Sequence, residues 1–369
     1  MKVQGGGFFF PPQQLDIMES KRIDVGILGA TGMVGQQFIL QLTNHPWFRP
    51  VWLAASERSE GKSYGEAASW HLATQMPDEI RALRVESCTP GRGPQLVFSA
   101  LDANAATDLE PAFAKAGHLV ISNARSYRMD PLVPLLIPEI NDDHLALLPS
   151  QRRARGWPGA IVTNPNCSTV VLSMAVAPLR QFGLRSIMVT TLQAVSGAGY
   201  PGVASMDILG NVVPHISGEE EKMESETQKI LGALQGDVVS PHPVTVSAQA
   251  TRVAVIDGHT ESISIALDSS PSIDDVVAAL RGFRGRPQEL DLPTAPAAPI
   301  VCVEALNRPQ PRLDAERDGG MTITIGRVRP CPVLDVKFVA LGHNTIRGAA
   351  GAAVLNAELM QAEGLLQGD

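Results

Sequence analysis

Cys167 stands in the run Asn164-Pro165-Asn166-Cys167-Ser168-Thr169, after the apolar pair Ile161-Val162 and before Val170, Val171, Met174 and Ala175, which recur on one face of a helix. This spacing puts the thiol at a helix N-terminus, where the dipole and free backbone N–H groups lower a thiol's pKa and hold an oxyanion. The chemistry implied is attack on a carbonyl carbon with a covalent sulfur-bound intermediate. Cys88, Cys302 and Cys331 have no such setting and read as inert buried thiols. With four cysteines in 369 residues and no Cys-x-x-Cys pair, the chain offers no disulfide framework or metal site, and it fits a reducing, cytoplasmic compartment.

A second constellation is Gly29-Ala30-Thr31-Gly32-Met33-Val34-Gly35, between an apolar run at Val25 to Leu28 and a helical pattern carrying Val34, Phe38, Ile39 and Leu42. Small residues therefore fall where a backbone must approach a pyrophosphate at a helix N-terminus. The G-x-x-G-x-x-G spacing departs from the simplest dinucleotide fingerprint, but the strand-turn-helix context is the one that motif needs. After the next apolar run comes Ala55-Ser56-Glu57-Arg58-Ser59. Ser56 and Arg58 suit a ribose 2′-phosphate and so favour NADP, whereas Glu57 is the carboxylate an NAD enzyme would use.

Asp257-Gly258 lies between the alternating runs Thr251 to Ile256 and Thr260 to Leu267 and reads as a two-residue hairpin turn. By period-two parity, Arg252 and His259 then share one face of the ribbon. The run Glu219-Glu220-Glu221-Lys222, taken alone, is a solvated helix face with a weak ion pair at three-residue spacing.

The elements that must position these groups alternate from Arg22 onward between short apolar runs and helical periodicity, which is the pattern of β-α-β units. Val25 to Leu28, Val51 to Ala55, Leu96 to Ala100 and Leu119 to Ser122 are the expected parallel strands. Beyond Asn164 the runs lengthen and alternate, as in Ile187 to Ala194 and Thr322 to Val328, which suits a mixed or antiparallel sheet. Pro287 to Pro299 reads as a connecting loop inside that second unit, and Asn344 to Leu366 as one helix. Residues 1–20 read as a poorly ordered tail without the apolar core of a secretory signal. The net charge of -8, from 38 acidic and 30 basic residues with no basic block, argues against nucleic-acid and membrane partners.

Several of these segments are long and unusual. GATGMVG, ASERSEGK from Ala55, VFSAL around Ser99, NPNCST, QAVSGAGYPG from Gln193, GEEEK from Gly218, RVAVIDGHT from Arg252 and HNTIRGAAGAAVLNAEL from His343 together resemble the aspartate-semialdehyde dehydrogenase family. SGAGYPG, GEEEK and DGHT are similar to its archaeal and fungal branch. The resemblance covers residues 22–366 and implies an α/β fold: a Rossmann-type NADP-binding domain over 21–164 and 343–369, and a mixed-sheet α+β catalytic and dimerisation domain over 165–342. It implies that Cys167 attacks the aldehyde, that the thiohemiacetal passes a hydride to NADP, and that phosphate opens the thioester, the physiological direction being the reverse. On this resemblance Gln193 supports the nucleophile and His259 is the acid/base, an imidazole near its own pKa exchanging the thiol proton.

Arg252 would pair with the substrate carboxylate, Glu219 with its amino group and Lys222 with phosphate. Asn123 and Arg128 would line the phosphate site, with Arg125 an alternative guanidinium. Gly29, Thr31, Gly32, Met33, Val34, Gly35, Ser56, Arg58, Ser59, Ser99, Ser196, Gly197 and Asn344 match cofactor-side positions. The partners implied are a small-molecule substrate, inorganic phosphate and further copies of the chain in a homodimer or homotetramer, without a metal. One departure is Ala254, where many relatives carry proline. Two other readings share part of this chemistry. A reductase of a coenzyme A thioester such as malonyl-CoA would use the same thiol, but Glu219 would then have no amino group to meet. A non-catalytic NADP sensor would need no cysteine, and none of Tyr64, Tyr127 and Tyr200 has the lysine four places on that short-chain reductases use.

Overall fold

The computed structural model describes residues 22–366; the expected tail over residues 1–20 lies outside the described residues. Six parallel strands form the first sheet: β1 (Ile23–Leu28), β2 (Phe48–Ala55), β3 (Val85–Ser87), β4 (Leu96–Ser99), β5 (Leu119–Ser122) and β6 (Ala160–Thr163). Their order is β3-β2-β1-β4-β5-β6, so the chain reverses its direction of travel between β1 and β4. A parallel sheet of this kind opens a crevice at the carboxyl ends of the strands where the order reverses. There the N–H of Ala100, just after β4, meets the carbonyl of Leu28, the last residue of β1, at 2.8 Å.

Helix α1 (Met33–Thr43) follows β1, and α2 (Ala103–Lys115) follows β4. Asp102 caps α2 by accepting the N–H groups of Asn104 and Ala105. Phe38, Ile39 and Leu42 of α1 pack on one face of the sheet, and Trp52, Phe113, Val120 and Ile161 on the other.

The second sheet runs β10-β7-β11-β14-β13-β12, from β7 (Leu184–Gln193), β10 (Thr245–Arg252), β11 (His259–Leu267), β12 (Ile300–Val303), β13 (Ile323–Pro330) and β14 (Val336–Gly342); the pair β8 (Ala233–Gln235) and β9 (Val238–Ser240) stands apart. It is mixed: β10 runs parallel to β7 and β12 to β13, and the other neighbours are antiparallel. In β7, Val189, Thr191 and Gln193 are buried while Met188, Thr190 and Leu192 are exposed, the alternation of a sheet covered on one face. That inner face is covered by α3 (Cys167–Val176), whose Val170, Val171, Leu172 and Met174 are all buried in the second core. Helix α4 (Glu219–Ile230) lies beside it.

Three expectations are corrected here. Asp257-Gly258 does not close a hairpin: β10 and β11 pair on opposite sides of β7, and residues 253–258 carry the chain over its end, with the Val253 N–H on the Gln193 carbonyl and the Val195 N–H on the Val255 carbonyl. A parallel and an antiparallel neighbour flanking one strand leave Arg252 and His259 at the same end of the sheet, so the shared position survives although its reason changes. Second, the proline-rich segment is not confined to the second unit. Leu292 is buried in the first core, and the Thr294 N–H and hydroxyl bind Glu358. Third, the last helical segment is not regular: it opens with a π-turn over Ile346–Ala350 before α5 (Gly351–Ala362). The Gly348 and Ala350 N–H groups reach back five residues to the carbonyls of His343 and Thr345.

The C-terminal segment belongs to the first core, where Val354, Leu355, Leu359 and Met360 are buried against α1. Arg347 forks onto Glu139 at 2.8 and 2.7 Å with both side chains wholly buried. Removing either partner of such a pair strands a charge at a cost of about 3–5 kcal/mol, so the clasp fixes the C-terminal segment against the Pro138–Asn141 turn.

Candidate active site

Helix α3 starts at Cys167 because Asn166 is its N-cap: extended in backbone, with its side-chain oxygen accepting the Ser168 and Thr169 N–H groups at 3.0 and 3.2 Å. The half-buried thiol faces the wholly buried ring of His259, with Sγ and Nε2 3.2 Å apart. On the other side of the ring, the Ala194 N–H donates to Nδ1 at 3.1 Å. Arg252 Nη1 donates to the Ala194 carbonyl at 2.8 Å, so one residue after β7 orders both the imidazole and the guanidinium. Gln193, also buried, donates to the Thr191 hydroxyl at 3.2 Å. Gly197 is confined by this pair: a Cβ there would lie 2.9 Å from Arg252 Nη1 and 3.1 Å from the ring of His259.

The lowered thiol pKa expected from the helix start is not found. Burial, reinforced by Glu219, pushes Cys167 up to about 12 against the opposing pull of Lys222, Arg128 and Arg252. At the helix start itself, Asn166 already engages the Ser168 and Thr169 N–H groups. His259 likewise does not sit near its ordinary value; burial, with Arg252 and His343 adding positive charge, pulls it down to about 3. Burial therefore works against charge on both partners.

The run Glu219 to Lys222 is not simply a solvated face. Glu219 is buried at the N-terminus of α4, accepting from the Asn166 side-chain amide at 2.7 Å and from Lys222 at 2.5 Å. Arg128 is buried as well: Nη1 meets Glu226 at 3.0 Å and Nη2 meets the Asn123 carbonyl at 2.8 Å, while Arg125 is exposed. The side-chain oxygen of Asn123 accepts from Asn164 at 2.8 Å, and its amide nitrogen is buried without a partner.

Several groups at this site went unread in the sequence. Glu226 accepts the Asn166 N–H at 2.6 Å with the oxygen that does not face Arg128, and so joins the residue before the nucleophile to the arginine loop. Lys229, pulled down to about 8 by burial, gives its three protons to the carbonyls of Arg128, Asp130 and Val133. The three- and four-residue spacing of Glu219, Lys222, Glu226 and Lys229 was the available signal, a single stripe along a helix. Gly348 touches the nucleophile directly, and Glu261, fully buried on the same face of β11 as His259, has neither carboxylate oxygen paired. Burial, with Glu219 adding to it, raises the Glu261 carboxyl well above the usual range.

The glycine loop turns at the sheet's reversal point. Gly29 has φ +74° and a Cβ there would strike the Ala100 carbonyl; one on Gly35 would lie 2.4 Å from the Gly29 carbonyl, so both hold loop against helix. Gly32 has only the Gly29 carbonyl, at 3.6 Å, and leaves open space over the uncapped, acid-free N-terminus of α1. A cleft of about 620 Å³ there is lined by Gly29, Thr31, Gly32, Ser56, Glu57 and Asp102. Arg58 is exposed, and Ser59 donates its N–H to the Ser56 carbonyl in a turn. The side chain of Val34 packs on the core, and the buried Ser99 hydroxyl turns inward to Glu110 at 2.7 Å, so neither side chain is brought to the cleft. A second cleft is lined by Met33, Ser196, Asp257 and His343; behind Ser196, the buried Asn344 donates to its hydroxyl at 2.8 Å and accepts the Gly258 N–H. Ser196 thus faces the glycine-loop helix while its neighbour Gly197 abuts His259. Among the described residues no cluster of His, Cys, Asp or Glu could hold a metal, and no helix is long and apolar enough to cross a membrane.

Comparison with known proteins agrees with this arrangement. Residues 24–148 match the family model for the semialdehyde dehydrogenase NAD binding domain, and residues 176–347 match that for the semialdehyde dehydrogenase dimerisation domain. The chain is 51% identical to an aspartate-semialdehyde dehydrogenase of Methanothermobacter thermautotrophicus over 92% of its length and 99% of that protein. It is 43% identical to one from Saccharomyces cerevisiae, over 95% of this chain and all of that one. The crystal structure of Candida albicans aspartate semialdehyde dehydrogenase with NADP superposes with a TM-score of 0.87 at 42% identity, covering 93% of this chain and 99% of that one. A thiol at a helix start facing an imidazole, a glycine turn at the reversal point of a parallel sheet, and relatives of this identity over nearly the whole chain together place the protein in the aspartate-semialdehyde dehydrogenase family.

Proposed function

We propose that this chain catalyses the reversible, phosphate-dependent oxidation of L-aspartate 4-semialdehyde to L-aspartyl 4-phosphate with NADP, working physiologically toward the semialdehyde in the biosynthesis of the aspartate-derived amino acids. The observation that carries it is the 3.2 Å approach of Cys167 Sγ to His259 Nε2 at the start of α3, between the Arg252 guanidinium and the Glu219–Lys222 pair. Cys167 forms the thioester, and Gln193, whose amide rests on the Thr191 hydroxyl, is assigned the supporting hydrogen bond. Arg252 is the fork for the substrate carboxylate, and Glu219 meets the amino group. Lys222 and Arg128, with Asn123, receive the phosphate.

NADP supplies hydride acceptance in one direction and donation in the other. The open face of Gly32 over an uncapped helix N-terminus fits its pyrophosphate, and Ser196, Gly197 and Asn344 bound the space between that loop and the thiol. Ser56, with Arg58 and Ser59 beside it, forms the 2′-phosphate end. We assign residues 21–164 and 343–369 to the cofactor domain and 165–342 to the catalytic domain, since the first core gathers β1 to β6 with α5 while the second gathers α3 and the mixed sheet. The exposed outer face of β7, with Met188 and Leu192, is the surface for pairing with a second copy. Four unbridged cysteines suit a reducing cytoplasm.

The test is initial-rate NADP reduction with L-aspartate 4-semialdehyde, with and without inorganic phosphate, beside NAD and beside malonyl-CoA reduction. Phosphate-dependent turnover with NADP is expected. Activity confined to the coenzyme A thioester would replace this reading with the thioester reductase.

A further inference from the structure

We propose that Glu226 is a positioning residue for the phosphate step: one carboxylate oxygen holds the guanidinium of Arg128, the other holds the backbone of Asn166, the residue bonded to Cys167, and a single side chain thereby registers the phosphate site against the nucleophile. This rests on the reading of Arg128 as a phosphate ligand and of Cys167 as the acyl carrier.

Arg128 needs such a partner because little else orients its side chain. Its backbone is fixed separately, by Lys229 Nζ donating to the carbonyls of Arg128, Asp130 and Val133 at 2.7, 2.8 and 2.9 Å. The guanidinium carries its N–H donors in one plane. Nη2 meets the Asn123 carbonyl at 2.8 Å, Nη1 meets Glu226 Oε1 at 3.0 Å, and Nε is buried without a partner among the described residues. A plane held at one corner pivots about it. Held at two corners it is fixed, and with it the directions of the N–H groups left over for a tetrahedral oxyanion. Glu226 supplies the second corner.

The other oxygen, Oε2, accepts the Asn166 N–H at 2.6 Å. Asn166 is held at the same time by Glu219 through its side-chain amide, and it caps α3 through its side-chain oxygen. The thiol and the guanidinium are therefore both tied to α4, and Arg128 is one of the cations that act on sulfur. Glu226 itself is 1% exposed on the buried stripe of that helix, so it acts through Arg128 and Asn166 and not by touching substrate.

The direction of the effect separates positioning from two plainer roles. On charge alone, removing a carboxylate beside an anion site should strengthen phosphate binding. A carboxylate that only stabilises the fold should lower the unfolding midpoint and leave the kinetic constants of the folded enzyme alone. Positioning weakens the use of phosphate and spares the cofactor.

The test compares the full chain with Glu226→Gln, assayed in the oxidative direction well below the unfolding midpoint of the variant. The glutamine oxygen accepts from Arg128 or from Asn166, but its NH₂ then faces the other donor, so both links cannot survive. The kcat/KM for phosphate should fall on the order of 10–100-fold, while the Kd for NADP from fluorescence titration stays within about twofold. In an Arg128→Lys background the same change should lower kcat/KM for phosphate by less than about threefold, because the fork through which Glu226 acts is already gone. The Asn166 link is read without phosphate, as the single-turnover rate of NADPH formation from semialdehyde and NADP. That rate should fall by a smaller factor, about threefold to tenfold, since Asn166 keeps its bonds to Glu219 and to the helix start. An unchanged or raised kcat/KM for phosphate, or an undiminished loss in the Arg128→Lys background, overturns the proposal, and an unchanged single-turnover rate removes Asn166 from it. Should Glu226→Gln fail to fold, Glu226→Asp, charged but one methylene short of spanning both groups, carries the same comparison. If the wild type turns over no semialdehyde, the functional reading falls. Line broadening of the ³¹P signal of inorganic phosphate then decides the Arg128 link: broadening by wild type that is lost in Glu226→Gln supports it, and equal broadening by the two overturns it.

Discussion

Gly348 offers a test of how closely the nucleophile is held. Its backbone is helical with negative φ, so alanine is accommodated conformationally, and on helix propensity alone Gly348→Ala should stabilise by about 1 kcal/mol. The added Cβ would, however, lie 2.7 Å from Cys167 Cβ and 3.0 Å from its Cα. Carbon atoms prefer about 3.5–4.0 Å, so the two segments must part by about 1 Å. Neither side yields easily. The start of α3 is pinned through Asn166 to Glu226 and Glu219, and the π-turn is pinned one residue away by Arg347 on Glu139. Overpacking of this kind costs about 1–3 kcal/mol, which offsets the propensity gain and leaves a net loss of about 0–2 kcal/mol. The larger effect falls on chemistry, because a misplacement of about 1 Å at a reacting atom costs on the order of 10²-fold. Phosphate-dependent kcat/KM should drop by that amount, with a changed rate of Cys167 alkylation by iodoacetamide and a fall in urea midpoint no larger than a loss of about 2 kcal/mol gives. Wild-type kcat/KM together with an unchanged alkylation rate would show that the contact does not hold the thiol in place.

Cys167→Ala should abolish turnover while NADP titration by fluorescence gives an unchanged Kd; retained wild-type rates would end the thioester mechanism. Glu226→Gln leaves Arg128 as a buried charge without its partner and should lower stability by about 3 kcal/mol, read as a fall in urea midpoint at constant m. A loss below about 1 kcal/mol would mean that the guanidinium is satisfied some other way. Glu261→Gln should change the pH dependence of stability. The raised folded pKa means that above the unfolded value near 4.3 the native state holds a proton the unfolded state has lost, so wild-type stability falls as pH rises until the native carboxyl ionises. Across that window the variant should gain on wild type by about 1.4 kcal/mol per pH unit in denaturation followed against pH, and parallel curves would show that Glu261 is already ionised.

The parallel strands and the glycine loop were legible because β1, β4 and β5 are short, continuous apolar runs bounded by turn residues, a local signal. Cys167 at the start of α3 was legible for the same reason, since an N-cap residue followed by apolar helix periodicity is written within ten residues. What failed was non-local. Nothing within Arg252 to His259 says that β7 lies between the two strands, because strand order is decided by which edges the rest of the sheet leaves free. The thiol pKa failed because a helix start read alone shows its N–H groups but not the burial and the Glu219 carboxylate that the fold brings up from more than fifty residues away. The proline-rich loop failed similarly: its anchor is Glu358, far along the chain.

The stripe on α4 shows how the fold separates holding from charging. Glu219, Lys222, Glu226 and Lys229 recur at each turn, and three of them reach elements from the other half of the chain: Asn166 through Glu219 and Glu226, Arg128 through Glu226, and the carbonyls after Arg128 through Lys229. Two acids and two bases in the stripe sum to no net charge, so this buried face positions the nucleophile and the arginine loop with its own charges balanced, while the further glutamates of α4, Glu220, Glu221 and Glu224, lie off the stripe. The field at sulfur therefore comes from an imbalance close by, three cations in Lys222, Arg128 and Arg252 against Glu219, and burial still outweighs it. An electropositive pocket with a neutral thiol attracts an anionic acyl phosphate without first forming an exposed, oxidisable thiolate.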